Sequence, residues 1–275
     1  MRFLLLLLAL IAAPAAAQPA RVNAIQPELV AEGPVRPGGE VELAIVMHTR
    51  EGWHGYWRNP GDAGLPMRID WQVPPGASIG PLRYPVPQRL TIAGLMNYVY
   101  ERDHAILVRL KAPPGATGTI PISAEAQWLA CTDKVCVPER GSFALNVPLG
   151  DGAASERTAF DRWRQLLPRP LSTPARFELA SDTLRVAIPL PRSVTLGEPY
   201  VFPLDDGPVD YAAPQTFRRA GDTLVAELKR KRGEPRQFAG VLALGDGRGL
   251  EFTAAPGDVP GGGIAVGALD AAALW

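Results

Sequence analysis

The chain has two cysteines, Cys131 and Cys136, with Thr132-Asp133-Lys134-Val135 between them. That spacing rules out a helix if the sulfurs are to meet, because side chains five apart at ~100° per residue point ~140° away from each other. Two antiparallel strands over 127–131 and 136–143, joined by the polar turn, instead set the cysteines face to face. Cβ atoms of a directly opposed non-hydrogen-bonded pair lie ~4.5–5.5 Å apart, and modest twisting brings them to the ~3.5–4.5 Å of a disulfide. The sequence therefore permits a bridge that closes a very short loop. Chain entropy gives a loop of about six residues only ~2 kcal/mol, so such a bridge contributes little to holding the fold.

The rest of the chain reads as short strands punctuated by Pro and Gly. Val41, Leu43, Ile45 and Met47 alternate with Glu42, Ala44, Val46 and His48. The segment 51–66 is dense in aromatics and turn formers and is expected to be a structured loop carrying Trp53, Tyr56 and Trp57. Strand patterns follow over 67–73, 82–84, 88–97, 98–110, 120–128 and 142–149, which together describe a β-sandwich. After a boundary at 150–154, the one good helical pattern covers 155–167, with Ser155 as a possible cap and Ala159, Phe160, Trp163, Leu166 and Leu167 on one face. Strand patterns resume from 175 to 254 and suggest a second sandwich without cysteines. Its basic run at 229–232 is expected at a solvated hairpin end. Pro260-Gly261-Gly262-Gly263 reads as a joint, and 264–275 as an apolar, helix-prone tail.

The first 17 residues have the form of a secretory signal: Arg2, an apolar run over 3–13, then Ala15-Ala16-Ala17 before Gln18. The expected organisation is thus 1–17 signal, 18–150 first sandwich, 151–258 second sandwich with its leading helix, and 259–275 joint and tail. Removing Arg2 from the 28 Lys and Arg leaves 27 basic residues against 28 acidic. That balance argues against a nucleic-acid or anionic-membrane surface. Export places the chain in an oxidising compartment, where paired cysteines are most often structural, and that reading stays open on composition alone.

Only three histidines are present, at 48, 54 and 104, with no metal-ligand spacing, so neither a metal nor another cofactor is expected. A copper role for the methionines or cysteines is the weakest alternative. No phosphate loop and no Ser/His/Asp constellation appears, which leaves thiol chemistry. Asp133 and Glu139 beside the cysteines are expected to raise their pKa and Lys134 to lower it.

Three motifs in order, Gly52-Trp53-His54-Gly55-Tyr56-Trp57-Arg58-Asn59-Pro60-Gly61, Asn97-Tyr98-Val99-Tyr100-Glu101, and Trp128-Leu129-Ala130-Cys131 through Cys136-Val137-Pro138-Glu139, resemble the exported N-terminal region of DsbD-type thiol:disulfide interchange proteins. The cysteine spacing is most similar to the ScsB-like branch, linked with suppression of copper sensitivity. The resemblance implies an all-β chain of two immunoglobulin-like sandwiches joined by a short helix, located in the periplasm. It implies a protein-disulfide reductase component that takes electrons from a membrane electron-transfer domain and passes them to thioredoxin-fold exported proteins. By the same resemblance Cys136 forms mixed disulfides, Cys131 resolves them, and a cap over 90–96 leads into Asn97 and Tyr98. Trp53, Tyr56, Leu95, Met96, Asn97 and Tyr98 are then the expected cap and partner-binding residues. The membrane part is expected in trans or beyond Trp275. A non-enzymatic binding module with a structural disulfide, and a copper-handling module, are the other readings.

Overall fold

The computed structural model describes residues 22–231 and 233–266. The signal segment and the tail beyond Val266 lie outside the described residues. Among the described residues the regular structure is all β apart from one short helix.

The first unit holds ten strands. They are β1 (Ile25–Ala31), β2 (Glu40–Thr49), β3 (Gly55–Gly61), β4 (Arg68–Gln72), β5 (Ser78–Ile79), β6 (Gln88–Ile92), β7 (Leu95–Tyr100), β8 (His104–Lys111), β9 (Thr119–Cys131) and β10 (Cys136–Pro148). One sheet has the order β1-β2-β8-β5 and another β10-β9-β4. Between them lies a core that takes Leu43, Ile45 and Met47 from β2, Ile106, Val108 and Leu110 from β8, and Ile122, Ala126 and Trp128 from β9. This is the immunoglobulin-like arrangement of two packed antiparallel sheets. Alternation along β2 is real, but its second face is buried too: Ala44 and Val46, with Ala105 and Leu107 of β8, lie under α1 (Arg157–Leu166).

That helix is shorter than its sequence pattern suggested. Glu156, not Ser155, occupies the N-cap position and makes no side-chain cap bond, while Phe160 is fully buried and Leu166 is 42% exposed. Packing on the sheet holds it, aided by Arg164, whose Nε donates to Glu42 Oε2 at 2.6 Å and whose Nη2 pairs with Glu32. The helix follows the first unit in sequence and still covers the outer face of that unit.

The second unit contains β11 (Arg169–Pro170), β12 (Ala175–Leu179), β13 (Thr183–Pro189), β14 (Tyr200–Pro203), β15 (Thr216–Ala220), β16 (Thr223–Lys229), β17 (Phe238–Gly245), β18 (Arg248–Pro256) and β19 (Ile264–Val266). They form one curled sheet, ordered β14-β17-β18-β12-β13-β16-β15-β19, with β11 also on β18. The joint is β12, which pairs in parallel with β18 (Ala175 opposite Ala254) and antiparallel with β13 (Phe177 opposite Val186). What would be two sheets is thereby continuous, wrapped around Phe177, Val186, Ile188, Leu224, Val241 and Phe252. Ile264–Val266, which the sequence suggested as the start of a helical tail, is instead an edge strand against β15. In the basic run, Lys231 does not simply face solvent: its Nζ lies 3.3 Å from Asp62 of the first unit and 5.3 Å from the Tyr211 ring centroid.

A third small sheet, β3-β7-β6, sits between the units. The segment read as an aromatic loop is thus partly a strand, paired at Gly55 with Tyr100 and at Tyr56 with Val99, then bulged before Gly61 meets Asn97. Strand side chains alternate between faces, and here the alternation divides two tasks. Tyr56 and Val99 turn toward Cys131, with Leu90 and Leu129 packed beside them. Trp57, Tyr98 and Tyr100 turn the other way, into the core of the second unit. There the Tyr98 ring packs edge-on at 5.0 Å from Phe202 and 5.5 Å from Tyr211, and its hydroxyl lies 3.1 Å from that of Tyr200. Asn59 completes the joint by donating through Nδ2 to the Pro203 carbonyl at 2.9 Å.

Candidate functional site

Strands β9 and β10 form one long hairpin in which Cys131 stands directly opposite Cys136 and is bonded to it. The turn is held locally. Thr132 N–H donates to the Val135 carbonyl at 2.8 Å, and the amides of Lys134 and Val135 both donate to Thr132 Oγ1 at 3.1 Å. On its other side Cys131 exchanges both backbone bonds with His54, donating to the His54 carbonyl at 3.0 Å and accepting from its amide at 2.8 Å. In an antiparallel ladder a residue's N–H and C=O point to the same side. The Cys131 groups are spent on His54, so Cys131 and Cys136 form a non-hydrogen-bonded pair, the closer kind, and their Cα atoms are 4.1 Å apart. The bridge sits where the ladder brings side chains nearest.

The two sulfurs differ in access. Cys131 is fully buried, packed among Tyr56, Val99, Leu90 and Leu129, whereas Cys136 is exposed. Beside them an open groove of about 1250 Å³ is lined by Trp53, His54, Leu90, Ala93, Glu101 and Asp133, among others. One wall is the β6–β7 hairpin, whose two-residue turn puts Ala93 at φ 51° and Gly94 at φ 82°. That is the left-handed geometry that hairpin turns favour, reached here with an alanine in the first place.

The residues expected to cap the site separate by parity. Leu95 is 47% exposed at the hairpin tip; Asn97 is buried, and its Nδ2 donates to the carbonyls of Leu90 at 3.3 Å and Leu95 at 3.1 Å. Met96 and Tyr98 sit on the opposite face, packed against the second unit, with Tyr98 wholly buried. Tyr56 is beside Cys131, and Trp53 packs on the first unit's core with the Arg50 guanidinium 5.0 Å from its ring centroid. Leu90, the first residue of the expected cap, packs against the cluster of Tyr56, Val99 and Cys131, while Val99 belongs to that cluster without having been expected as a contact. The signal for Val99 was its place one residue from Tyr98, which puts it on the other face.

Glu139 is another correction. It lies three residues from Cys136 on β10 and so faces away from it, accepting bonds from Ala24 N–H at 2.5 Å, Ile25 N–H at 3.1 Å and Trp128 Nε1 at 2.9 Å. It ties the N-terminal strand down and does not act on the thiols. His54, discounted in sequence for lack of metal spacing, is 3% exposed with Nε2 3.4 Å from the Tyr56 hydroxyl. Burial holds its imidazole below the usual histidine pKa, against a smaller upward pull from Glu101, and burial alone raises Tyr56. Among the described residues no group of three His, Cys, Asp or Glu side chains is placed to hold a metal, and no helix is long and apolar enough to cross a membrane.

The first sandwich carries at its hairpin tip a disulfide with one cysteine buried and the other exposed, and the sequence places it in a family. Residues 22–148 match the N-terminal domain model of the thiol:disulfide interchange protein DsbD, and this part of the chain is a DsbD-type N-terminal domain. The N-terminal periplasmic domain of ScsB from Proteus mirabilis superposes with a TM-score of 0.66 at 17% identity, over 89% of this chain and 97% of that one. The shared fold therefore extends through the second unit. Collagen adhesin from S. aureus aligns over 84% of this chain and 92% of its own at 9% identity, but its TM-score of 0.18 carries no weight for the fold. No curated protein matches the chain.

Proposed function

We propose that this chain is an exported, periplasmic electron-relay module, a protein-disulfide reductase component working through Cys131 and Cys136. The observation that supports it is the asymmetry of the bridge, one cysteine fully buried and the other exposed. In the reduced protein the Cys136 thiolate attacks a partner disulfide, one partner sulfur leaves as thiolate, and a mixed disulfide forms. Cys131 then attacks Cys136 Sγ, the second partner sulfur leaves, and two electrons have moved to the partner. A thioredoxin-like donor, fed by a membrane electron-transfer domain, resets the pair by attacking the same exposed Cys136 sulfur. A buried thiol is a poor target and an exposed one a good one, so traffic in both directions passes through Cys136.

The partners suited to this site are thioredoxin-fold exported proteins, whose own cysteines protrude enough to enter the groove. Trp53, Tyr56, Leu90 and Leu95 supply the contact and Asn97 braces the β6–β7 hairpin as cover, while Met96 and Tyr98 serve the joint with the second unit. The test is a trap. Cys131→Ser, reduced and mixed with an oxidised thioredoxin-fold periplasmic protein, is expected to accumulate a covalent complex that Cys136→Ser does not form. No complex, with the Cys136 thiol still open to alkylation, would sink the reading. So would a Cys131/Cys136 potential below roughly −300 mV, the range of inert structural bridges.

A further inference from the structure

The register places four chemically active side chains in one rank across the sheet. His54 stands opposite Cys131, and Cys131 opposite Cys136. Gly55 pairs with Tyr100, which sets Glu101 across from His54 on the far side. Residues directly opposed in an antiparallel ladder project to the same face with Cβ atoms ~4.5–5.5 Å apart. Glu101, His54, Cys131 and Cys136 therefore run side by side, from an exposed carboxylate through a buried imidazole to the buried and then the exposed sulfur. We propose that His54 is the base that takes the proton from the Cys131 thiol in the resolving step, with Glu101 stabilising the imidazolium that results. This rests on the interchange reading above and adds to it the one proton that reading leaves without a destination.

The chemistry balances. In the mixed disulfide the Cys131 thiol sits among Tyr56, Val99 and Leu90, an apolar setting that disfavours its thiolate. As Cys131 Sγ bonds to Cys136 Sγ, the Cys136–partner bond breaks, the partner sulfur takes that electron pair, and the Cys131 proton moves to the imidazole. In the reverse direction, when a donor thiolate attacks Cys136, the imidazolium returns the proton to the departing Cys131. A base for this task must be neutral at working pH, and burial supplies that, since it holds His54 below the ordinary value. The groups around the ring are Tyr56 on its own strand, Glu101 beyond β7, and Glu51, Arg102, Asp103 and Asp133 around the shared groove. Of these only Glu101 pulls the ring's pKa upward, the direction that favours the imidazolium once it has formed, while burial, the larger effect, keeps the ring neutral beforehand.

The experiment uses the reduced protein and 5,5′-dithiobis(2-nitrobenzoate) in stopped flow. Cys136 attacks first and releases one thionitrobenzoate; Cys131 resolves the adduct and releases a second. His54→Gln is expected to slow the second release relative to the first by roughly a hundredfold, the lower end of what a positioned base contributes. Glu101→Gln, which removes the charge that stabilises the imidazolium, is expected to slow the second phase less than His54→Gln does and to move its pH midpoint downward, which a merely structural role would not do. A second release as fast in His54→Gln as in the wild type, or an unmoved midpoint in Glu101→Gln, overturns the assignment to His54 and leaves interchange standing. A wild-type protein that gives no second release at all overturns both.

Discussion

The small sheet β3-β7-β6 has two faces that treat the same kinds of residue in opposite ways. On one, Tyr56 and Val99 cover a sulfur whose partner is open to solvent; on the other, Trp57, Tyr98 and Tyr100 are locked into the core of the second unit. The first face has a thin apolar cover and an open groove. The second has interlocked aromatic rings and hydroxyl bonds running from Tyr98 to Tyr200 and on to the Tyr211 carbonyl. Stability is concentrated on one side of the sheet and reactivity on the other, so a change to either should leave the other largely intact.

The most forceful way to break that division is Trp57→Ala. Deleting a fully buried tryptophan is expected to cost about 3–5 kcal/mol, read as a lower midpoint in denaturant. Thiol exchange under native conditions should stay within about twofold, and a collapse of both together would show the faces to be one cooperative unit. Acid should act on the same side. His104 stacks on Tyr100 with centroids 4.0 Å apart, and burial lowers its pKa to about 4. The unfolded chain takes up this proton near 6.5 and the folded chain only near 4, so stability falls as pH drops through that window, by at most about 3 kcal/mol. Half-exposed His48 works in the opposite sense: hydrogen bonds from its ring to Asp103 and then Glu28 raise its pKa, and its contribution fades as pH climbs above 6.5 through the folded value. Unfolding curves at pH 7, 5.5 and 4 for wild type and His104→Gln should separate the two, the variant being the flatter.

On the reactive side the expected stability effects are smaller. Reducing Cys131–Cys136 should cost no more than about 2 kcal/mol, given the six-residue loop, and the reduced protein should unfold cooperatively with an unchanged denaturant slope. Smaller still is Ala93→Asn, which installs the Asn-Gly pair that a left-handed two-residue turn prefers and should add about 0.5–1 kcal/mol. If the β6–β7 hairpin must open to admit a partner, the same change should slow exchange with a protein disulfide more than with a small one.

The cysteine hairpin was legible in the sequence because strand periodicity and a five-residue separation leave one geometry for a bridge. The all-β class was legible too, in the turn-punctuated alternation. Other features had no local signal. The turn at Ala93-Gly94 escaped notice because alanine is a poor turn marker, so 88–97 read as one strand where there are two. The parallel pairing of β12 with β18 joins residues far apart in the chain and made one sheet where two were expected. The face that Glu139 takes follows from its odd spacing to Cys136 on a strand the sequence does show, whereas the place of His54 beside Cys131 has no local signal, because the aromatic segment reads as a loop and a loop has no register to count from.

Because β3 and β7 are committed on both sides, neither tolerates the loss or gain of a single residue. A shift by one position would turn Trp57 toward the sulfurs and Tyr56 into the aromatic joint, exchanging the inside of each compartment for the other. A loop has no face to keep, whereas these two strands keep theirs only if they vary in steps of two.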